Sequence, residues 1–368
     1  MTAYESFETL ESFMKETFVK AGIPAEDAAT CAEVLIESDK RGIESHGIGR
    51  FKPIYLDRIK AGILNPVTKI EIVKEAPATA VIDGNDGMGH VIGKRSMELA
   101  IEKASKFGLG MVAAKNSSHY GIAGYYATMA SKRGMIGITG TNARPSIAPT
   151  FGVENMLGTN PLTFGIPTDE DFDFVLDCAT SVSQRGKIEV YDRIGKDVPS
   201  GWVIDHEGQG RTGIAGLLDE LDKGGLALAP LGGPGEDLAG YKGYGYATVV
   251  EILSAALAAG PFLKALSGIS ADGSKSPYHL GHFFIAIDVT AFTSEESFRK
   301  STGEILRQLR ASRKAPGQDR IYTAGEKEYE CFISRKASGV PLNEALQQTI
   351  KAVIKEYGVE GFKFSFLE

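Results

Sequence analysis

Between residues 78 and 179 the chain alternates short apolar runs with amphipathic stretches, and this alternation restricts the possible fold more than any other feature of the sequence. The pattern predicts strands at 78–83, 110–114, 135–141, 162–167 and 174–179, helices at 94–106 and 120–133, and a glycine-rich loop at 84–93. Such a succession is typical of α/β proteins, in which helices cover a layered sheet. We therefore predict an α/β fold.

The flanking parts of the chain are predicted to be mostly helical. Their apolar spacing indicates helices at 7–21, 25–40, 246–259, 295–310 and 342–357, and strands at 282–288 and 362–367. Residues 195–240 are rich in glycine and proline, which predicts a long excursion over the surface. Because 368 residues exceed what a single core usually holds, we expect two or more lobes.

Composition excludes several classes of partner and site. The formal net charge is −7, which offers no basic patch to a nucleic acid or an anionic membrane. The three cysteines are widely spaced without a CxxC pair, as expected of neither a disulfide framework nor a cysteine zinc site. The chain starts without a basic and apolar leader pattern, and no apolar run is long enough to span a bilayer. We expect a cytoplasmic protein.

Two of the six histidines stand among hydroxyl groups and glycines. His46 follows Ser45 and precedes Arg50 by four residues, and a guanidinium can hold a carboxylate through its planar fork. His119 follows two serines that are good N-cap residues for the helix predicted at 120–133, so we expect it at a helix N-terminus that favours neutral imidazole. Both histidines are candidates for proton exchange near neutral pH. The alternative, that each is only a buried and hydrogen-bonded histidine, stays open.

Nucleotide and metal motifs are weak in this chain. No G-x-G-x-x-G follows a strand, and no phosphate-binding P-loop is present. The segment 240–245 with Lys242 is the best phosphate candidate, because it precedes a predicted helix; it is also compatible with a simple turn. Asp177 ends a predicted strand, where it can bind a ribose or cap a turn. His279 and His282 have metal-ligand spacing, but Gly281 and the strand that follows argue against a site, and we predict no metal centre.

Several segments, taken together, resemble one family along nearly the whole chain. They are Ser45-His46-Gly47 with Arg50, Ser118-His119-Tyr120-Gly121, Thr141-Asn142-Ala143-Arg144-Pro145, Leu157-Gly158-Thr159-Asn160-Pro161, Val175-Leu176-Asp177-Cys178-Ala179-Thr180-Ser181, Arg185-Gly186-Lys187, Gly240-Tyr241-Lys242-Gly243-Tyr244-Gly245 and Gly281-His282-Phe283-Phe284. This combination resembles the malate/L-lactate dehydrogenase family, most of all its malate dehydrogenase members. The family is unrelated to the Rossmann-fold lactate and malate dehydrogenases, and it includes ureidoglycolate, sulfolactate and diketogulonate enzymes and an imino-acid reductase branch.

The resemblance implies an α/β fold with a non-Rossmann nicotinamide-binding mixed sheet, which accounts for the missing dinucleotide fingerprint. Helical N-terminal and C-terminal segments are expected to form a second lobe. On this basis residues 1–75 are a helical region of the substrate lobe, and 76–300 are the nicotinamide-binding domain with the excursion at about 195–240. Residues 301–368 return to the first lobe. The family also implies a homodimer with its active site near the subunit interface.

The resemblance implies roles for individual residues. His119 matches the proton acceptor of the ureidoglycolate branch, whereas Ser45 and His46 match the relay serine and proton donor of the imino-acid reductase branch. Arg50 matches the anchor of the substrate carboxylate, and Thr159 is also expected to bind substrate. The cofactor, NAD or NADP, is expected to be held by Asn142, Asp177, Cys178, Ala179, Lys242, Gly325 and Glu326.

The predicted reaction is hydride transfer between NAD or NADP and C2 of a small 2-hydroxy or 2-keto acid. The malate/oxaloacetate pair is the first choice of substrate and the L-lactate/pyruvate pair the second. His119 is preferred over His46 as the principal acid–base group. Two alternatives remain: reduction of a cyclic imino acid, which Lys187 disfavours because the reductases carry an aspartate there, and nucleotide binding without catalysis. Ala143, where some relatives have serine, removes one possible hydroxyl contact to the cofactor.

Overall fold

The computed structural model describes residues 2–367, apart from the side chains of Arg193 and Asp222. Its α-helices are α1 (Phe7–Lys20), α2 (Ala25–Lys40), α3 (Ile48–Arg50), α4 (Asp57–Lys60), α5 (Gly89–Phe107), α6 (Ala123–Ser131), α7 (Arg185–Arg193), α8 (Leu217–Asp222), α9 (Gly240–Ala255), α10 (Glu295–Ala311), α11 (Glu326–Ser338) and α12 (Glu344–Tyr357). A π-helical segment, Phe51–Leu56, joins α3 to α4, and short 3-10 turns occur at Ala256–Ala258, Leu263–Leu266 and Val289–Ala291.

The strands are β1 (Ala3–Glu5), β2 (Glu71–Glu75), β3 (Thr79–Asp83), β4 (Leu109–Ser117), β5 (Met135–Thr141), β6 (Leu162–Ile166), β7 (Phe174–Cys178), β8 (Val203–Ile204), β9 (Gly210–Arg211), β10 (Ala227–Leu228), β11 (Leu280–Asp288) and β12 (Val340–Leu342). Seven of them form the main sheet, in the order β2-β3-β4-β11-β5-β6-β7. Only the β3–β4 pair is parallel, and the other neighbours are antiparallel. The predicted α/β fold with a mixed sheet is confirmed.

The sheet order brings several loops to one edge. Because β11 is antiparallel to both β4 and β5, these two strands run in the same direction, and Ser117 and Thr141 lie level with the start of β11. Strand β7 runs the same way through β6, so that Cys178 lies at this edge too. The segments that follow β4, β5 and β7 therefore meet on one side of the sheet, where α/β proteins often hold their functional side chains.

The two ends of the chain share one hydrophobic core. Helices α1 and α2 pack with α12, and strand β1 pairs with β12. Local sequence favours these helices at their starts, because Ser6 Oγ accepts the Thr9 N–H of α1 and Asn343 Oδ1 accepts the Leu346 N–H of α12. A second core lies between the main sheet and helices α5 and α6.

Several predicted elements are wrong in extent. Helix α6 starts at Ala123 rather than at 120, because Gly121 has a left-handed φ of 78°. The supposed loop at 84–93 already turns into α5 at Gly89, and the glycine-rich segment 240–245 forms the first turns of α9 instead of a loop before it. Residues 362–367, predicted as a strand, are not in a sheet; they cover the terminal core through Phe364.

The segment 195–240 has more internal structure than its glycine content suggests. It contains β8, β9, β10 and α8, and the three strands form a small sheet in the order β10-β8-β9. Val203, Leu217 and Leu228 are buried in a third core with Ile147 and Ile188. None of the helices within residues 2–367 has the length and apolar character needed to cross a bilayer.

Candidate active site

His46 and His119 lie together although 73 positions separate them in the chain. Their imidazole rings are stacked, with centroids 5.6 Å apart and planes 19° from parallel. His46 follows α2 in the N-terminal core region, whereas His119 lies two residues after β4 at the edge of the main sheet. The site therefore forms where these two parts of the protein meet.

A buried carboxyl group holds the turn that carries His46. Asp39 is 2% exposed, and its Oδ2 accepts the Ile48 N–H at 2.7 Å. Gly47 fits between them only because it lacks a side chain, since a Cβ there would lie 1.9 Å from Asp39 Oδ1. Burial raises the pKa of Asp39 to about 7, although the Ile48 N–H lowers it.

The His46 ring is oriented by its neighbour in sequence. Ser45 Oγ lies 2.9 Å from His46 Nδ1, and Gln184 Nε2 donates to the same Ser45 oxygen at 3.4 Å. Ser45 therefore contacts the Nδ1 atom of His46 and not its Nε2 atom. The predicted pairing of Ser45 with His46 is present in the structure.

The His119 ring is held on its other side by a tyrosine. Tyr55 Oη lies 2.5 Å from His119 Nδ1, and the Gly121 N–H approaches the same nitrogen at 3.3 Å. Tyr55 is fully buried in the π-helical segment after Arg50. Such segments are rare and are frequent at functional sites.

Both histidines are neutral at physiological pH, and for His119 the reason differs from the predicted one. Burial lowers the pKa of His46 to about 4, with a smaller contribution from the positive charge of Arg50. Burial also lowers the pKa of His119 far below its usual range, and His46 adds to this effect. The predicted helix N-terminus is wrong: Ser118 Oγ bonds to Gly89 N–H and Gly87 O instead of capping α6.

Arg50 projects its guanidinium toward α7. Its Nε donates to the Ser45 carbonyl at 2.7 Å, and its Nη2 lies 3.8 Å from a carboxylate oxygen of Glu189. The other oxygen of Glu189 accepts from Arg185 Nε at 2.9 Å. A carboxylate therefore already lies between two guanidinium groups next to the paired histidines.

Asp177 and Gly325 line a cavity of about 540 Å³ beyond α6. Asp177 Oδ2 accepts the Gly124 N–H at 2.7 Å, and its Oδ1 accepts from Thr163 at 3.0 Å. Asp177 thus caps α6, which is the role that we had assigned to Ser117 and Ser118. Burial raises its pKa, and the Gly124 N–H acts in the opposite direction.

The other predicted cofactor and substrate residues are distributed around this edge. Asn142 is buried and its Oδ1 accepts the Gly281 N–H at 2.7 Å, while the Thr159 carbonyl accepts the Thr180 N–H at 3.0 Å. Cys178 ends β7 and Ala179 follows it, both half-buried. Lys242 is exposed on α9, with its Nζ 6.0 Å from the ring centroid of Tyr241.

Glu326 does not line the 540 Å³ cavity that its neighbour Gly325 lines. Its carboxylate is buried and pairs with Arg320 and Arg310, and it also accepts the Thr323 N–H at 2.9 Å. This side chain therefore holds the start of α11 in place. Its contact with a cofactor stays a prediction.

The remaining histidines have separate surroundings. His282 is buried in β11, where Thr141 Oγ1 and Ser117 Oγ each lie 2.7 Å from one of its ring nitrogens. His279 Nδ1 instead lies 2.7 Å from Asp86 Oδ1. Across residues 2–367 no three His, Cys, Asp or Glu side chains group in a way that could hold a metal ion.

Sequence reasoning missed four residues that shape the site: Asp39, Tyr55, Gln184 and Glu189. Asp39 and Tyr55 lie within ten residues of His46, so proximity in sequence was the only available signal. Gln184 and Glu189 come from α7 or its N-cap, and nothing in their local sequence relates them to His46.

The mixed sheet, the stacked neutral histidines and the adjacent arginine define an α/β enzyme suited to acid–base chemistry on a small carboxylate. The family model described as malate/L-lactate dehydrogenase matches residues 6–351. The chain belongs to the malate/L-lactate dehydrogenase family, and it is a dehydrogenase.

Individual relatives cover nearly the whole chain. A malate dehydrogenase of Pyrococcus horikoshii is 45% identical over 352 residues, which are 96% of this chain and 95% of that protein. An L-sulfolactate dehydrogenase of Methanocaldococcus jannaschii is 40% identical over 343 residues, 92% of this chain and 93% of that protein. The crystal structure of malate dehydrogenase from Entamoeba histolytica superposes with a TM-score of 0.95 at 44% identity, covering 98% of this chain and 99% of that one.

Proposed function

We propose that the enzyme transfers a hydride between NAD and C2 of malate, with oxaloacetate as the substrate in the reverse direction. The observation that carries this proposal is the stacked pair His46 and His119 beside the guanidinium of Arg50. The relatives that are named malate dehydrogenases support the choice of substrate.

The chain's own residues provide binding and proton transfer. Arg50 binds the carboxylate next to C2, which fixes this carbon beside the two histidines. The bound carboxylate offsets the positive charge of Arg50, so it raises the pKa of His46 and favours proton uptake. Nicotinamide, when bound, accepts or returns the hydride of C2.

Two guanidinium groups favour a dicarboxylate over a monocarboxylate. Glu189 already holds a carboxylate between Arg50 and Arg185, so a substrate carboxylate binds there by taking the place of Glu189. Malate and oxaloacetate carry two carboxylates, whereas lactate and pyruvate carry one. We therefore place the malate pair before the lactate pair, with Arg185 as the contact for the distal carboxylate.

The cavity beyond α6 fits the adenosine part of a nicotinamide cofactor. Its volume of about 540 Å³ is typical of small-molecule sites. Gly325 lets the turn before α11 pack closely on β7 at this cavity, because a Cβ would lie 2.9 Å from the Asp173 carbonyl. We propose that Asp177 and Gly325 bind the cofactor here, and that Asn142, Cys178, Ala179 and Lys242 contribute further along the sheet edge.

The charges around this cavity favour NAD over NADP. The lining carries more acidic than basic side chains: Glu37, Glu170, Asp171, Asp173, Asp177 and Glu328 against Arg41 and Lys132. A phosphate on the ribose 2′ position would add negative charge to this acidic surrounding. We therefore propose NAD as the preferred cofactor.

A homodimer in the cytoplasm completes the proposal. Helix α9 exposes apolar side chains, with Val249 47% and Ile252 53% exposed. Next to them lies an apolar depression of about 410 Å³, lined in part by Phe262. A second copy would cover this face, and light scattering tests it: Ile252→Asp should give monomers, whereas the matched change Ile305→Asp on α10 should not.

The three cysteines are free thiols, which suits a reducing compartment such as the proposed cytoplasm.

The reaction is tested by the loss of reduced-nicotinamide absorbance with oxaloacetate, pyruvate and a cyclic imine, each with NADH and with NADPH. We expect the highest kcat/KM for oxaloacetate with NADH. Arg185→Gln should reduce kcat/KM for oxaloacetate much more than for pyruvate. Faster turnover of pyruvate or of the imine would contradict the proposed substrate, and faster turnover with NADPH would contradict the proposed cofactor.

A further inference from the structure

Tyr55 and Gly121 both direct a hydrogen-bond donor at one nitrogen of His119. The phenolic oxygen of Tyr55 lies 2.5 Å from Nδ1, and the Gly121 N–H lies 3.3 Å from it. The same N–H also faces the Tyr55 oxygen, which leaves the phenolic proton to point toward the imidazole. Tyr55 is fully buried, so bulk water does not compete for this bond.

These contacts decide where the single proton of the neutral ring lies. A backbone N–H can only donate, but at 3.3 Å the Gly121 N–H favours a lone pair on Nδ1 less strongly than the Tyr55 hydroxyl does at 2.5 Å. Tyr55 keeps its own proton, because burial holds its pKa well above the ordinary value. His119 is neutral, since burial lowers its pKa. The ring proton therefore lies on Nε2.

The surroundings of His46 impose no such restriction. Ser45 Oγ can accept a hydrogen bond from a protonated Nδ1 of His46, 2.9 Å away, while it also accepts one from Gln184 Nε2. In that arrangement the Nε2 atom of His46 has a free lone pair. A free lone pair is what a base needs to take the proton of a hydroxyl group.

We propose that Tyr55 is a positioning residue that holds His119 as its Nε2–H tautomer, so that His119 donates a hydrogen bond to the C2 oxygen and His46 exchanges the proton. This inference rests on the proposed function for the identity of that oxygen. During oxidation the O–H bond breaks and its proton goes to His46 Nε2, while the C2–H bond electrons leave as hydride to the nicotinamide. The C2 oxygen becomes a carbonyl that accepts the N–H of His119, and His46 later releases its proton to solvent.

Tyr55 and Arg50 belong to one continuous helical stretch, which runs from Ile48 through the π-helical segment to Lys60. The same stretch therefore anchors the substrate carboxylate and orients His119. A wider helical turn at this point shifts the positions of side chains relative to an α-helix. The π-helical segment is thus part of the arrangement that brings Tyr55 to His119.

The tautomer is measured directly by ¹⁵N NMR of histidine-labelled enzyme, with the signals of His119 assigned through His119→Gln. We expect a protonated Nε2 and an unprotonated Nδ1 in the parent enzyme, and a mixture of tautomers in Tyr55→Phe. A proton on Nδ1 of the parent enzyme would overturn the inference. This readout needs no substrate, so it separates failure of the inference from failure of the proposed reaction.

Steady-state kinetics test whether His119 donates a hydrogen bond while His46 exchanges the proton. Glutamine can still donate an N–H to the C2 oxygen, so His119→Gln should retain at least tenfold more kcat than His119→Leu. Tyr55→Phe should lower kcat by about tenfold with little change in KM, whereas the control Tyr357→Phe should not, because Tyr357 packs at the end of α12 against the core that the two ends of the chain share. Equal losses in His119→Gln and His119→Leu would assign the proton exchange to His119 and refute the proposal.

Discussion

Asp39 Oδ2 accepts the backbone N–H of Ile48 at 2.7 Å, and this bond, with that from the His46 N–H to the Ile43 carbonyl at 3.0 Å, holds the turn that carries His46. The carboxyl group lies at the end of α2, inside the core that the two ends of the chain share. Correct placement of His46 therefore depends on a residue that does not touch the substrate. Proximity to His46 is the only sequence signal for Asp39, and the folded geometry is needed to reveal this role.

Because Asp39 closely approaches Gly47, we expect the methyl group added in Gly47→Ala to lower both stability and activity. In Gly47→Ala the new Cβ would lie 1.9 Å from Asp39 Oδ1, so the carboxyl group or the turn must move. Overpacking of this kind usually costs about 1–3 kcal/mol. We expect a lower melting temperature and a reduced kcat. Gly213→Ala is the matched control, because no atom lies within 4 Å of its Cβ position; equal effects of both changes would contradict this account.

The raised pKa of Asp39 predicts how the effect of Asp39→Asn on stability depends on pH. Burial raises the pKa to about 7 in the folded protein, whereas the unfolded value is about 3.9. The folded state therefore binds the proton more tightly, and the parent enzyme loses stability relative to Asp39→Asn as pH rises from about 4 to about 7. The slope of this difference is at most about 1.4 kcal/mol per pH unit. Urea unfolding of both proteins at pH 5, 6 and 7 measures it, and a pH-independent difference would refute it.

Much of the fold was predictable because strand and helix patterns depend on local sequence. The mixed sheet was expected, but the insertion of β11 between β4 and β5 pairs it with residues more than 140 positions earlier in the chain, and local patterns do not encode such pairing. The start of α6 was misplaced because Gly121 adopts a left-handed conformation, which shifts the cap from the serines to Asp177.

The candidate site was predictable where motifs and resemblance pointed to residue types, as for His46, His119 and Arg50. Partners that come from distant segments were not predictable. Tyr55 reaches His119 across 64 positions, and Glu189 reaches Arg50 from α7. Contacts of this kind follow from the packing of whole elements, and no spacing rule in a single sequence encodes them.

The geometry of Arg50 predicts that lysine cannot replace it. Its Nε is committed to the Ser45 carbonyl, which leaves the two terminal nitrogens for a carboxylate. A lysine ammonium group has one nitrogen and cannot bind the Ser45 carbonyl and both oxygens of a carboxylate in this way. Hydrogen bonds to charged groups are worth about 1.5–3 kcal/mol each. We expect Arg50→Lys to lower kcat/KM for oxaloacetate by roughly 10-fold to 100-fold, mainly through KM. Arg211→Lys is the control, because Arg211 in β9 pairs with Glu220 of α8, and a similar loss there would remove the special role of Arg50.

We expect buried His90 to contribute measurably to the loss of folding stability at acid pH. Its side chain is fully buried in α5, and neither ring nitrogen has a hydrogen-bond partner within residues 2–367. Burial lowers its pKa to about 3, so between that pH and about 6.5 the unfolded chain binds a proton that the folded protein does not. Stability contributed through His90 is therefore present above about pH 6.5 and is lost as pH falls toward 3.

Replacement of His90 by leucine should remove this proton uptake and both unpaired nitrogens. In His90→Leu we expect the loss of stability between pH 6.5 and pH 4 to be smaller by up to about 1.4 kcal/mol per pH unit. The parent enzyme, His90→Leu and the control His206→Leu, whose side chain is exposed in the turn between β8 and β9, can be compared by urea unfolding at several pH values. If His90→Leu and the control follow the same pH dependence as the parent enzyme, buried His90 does not contribute to acid unfolding.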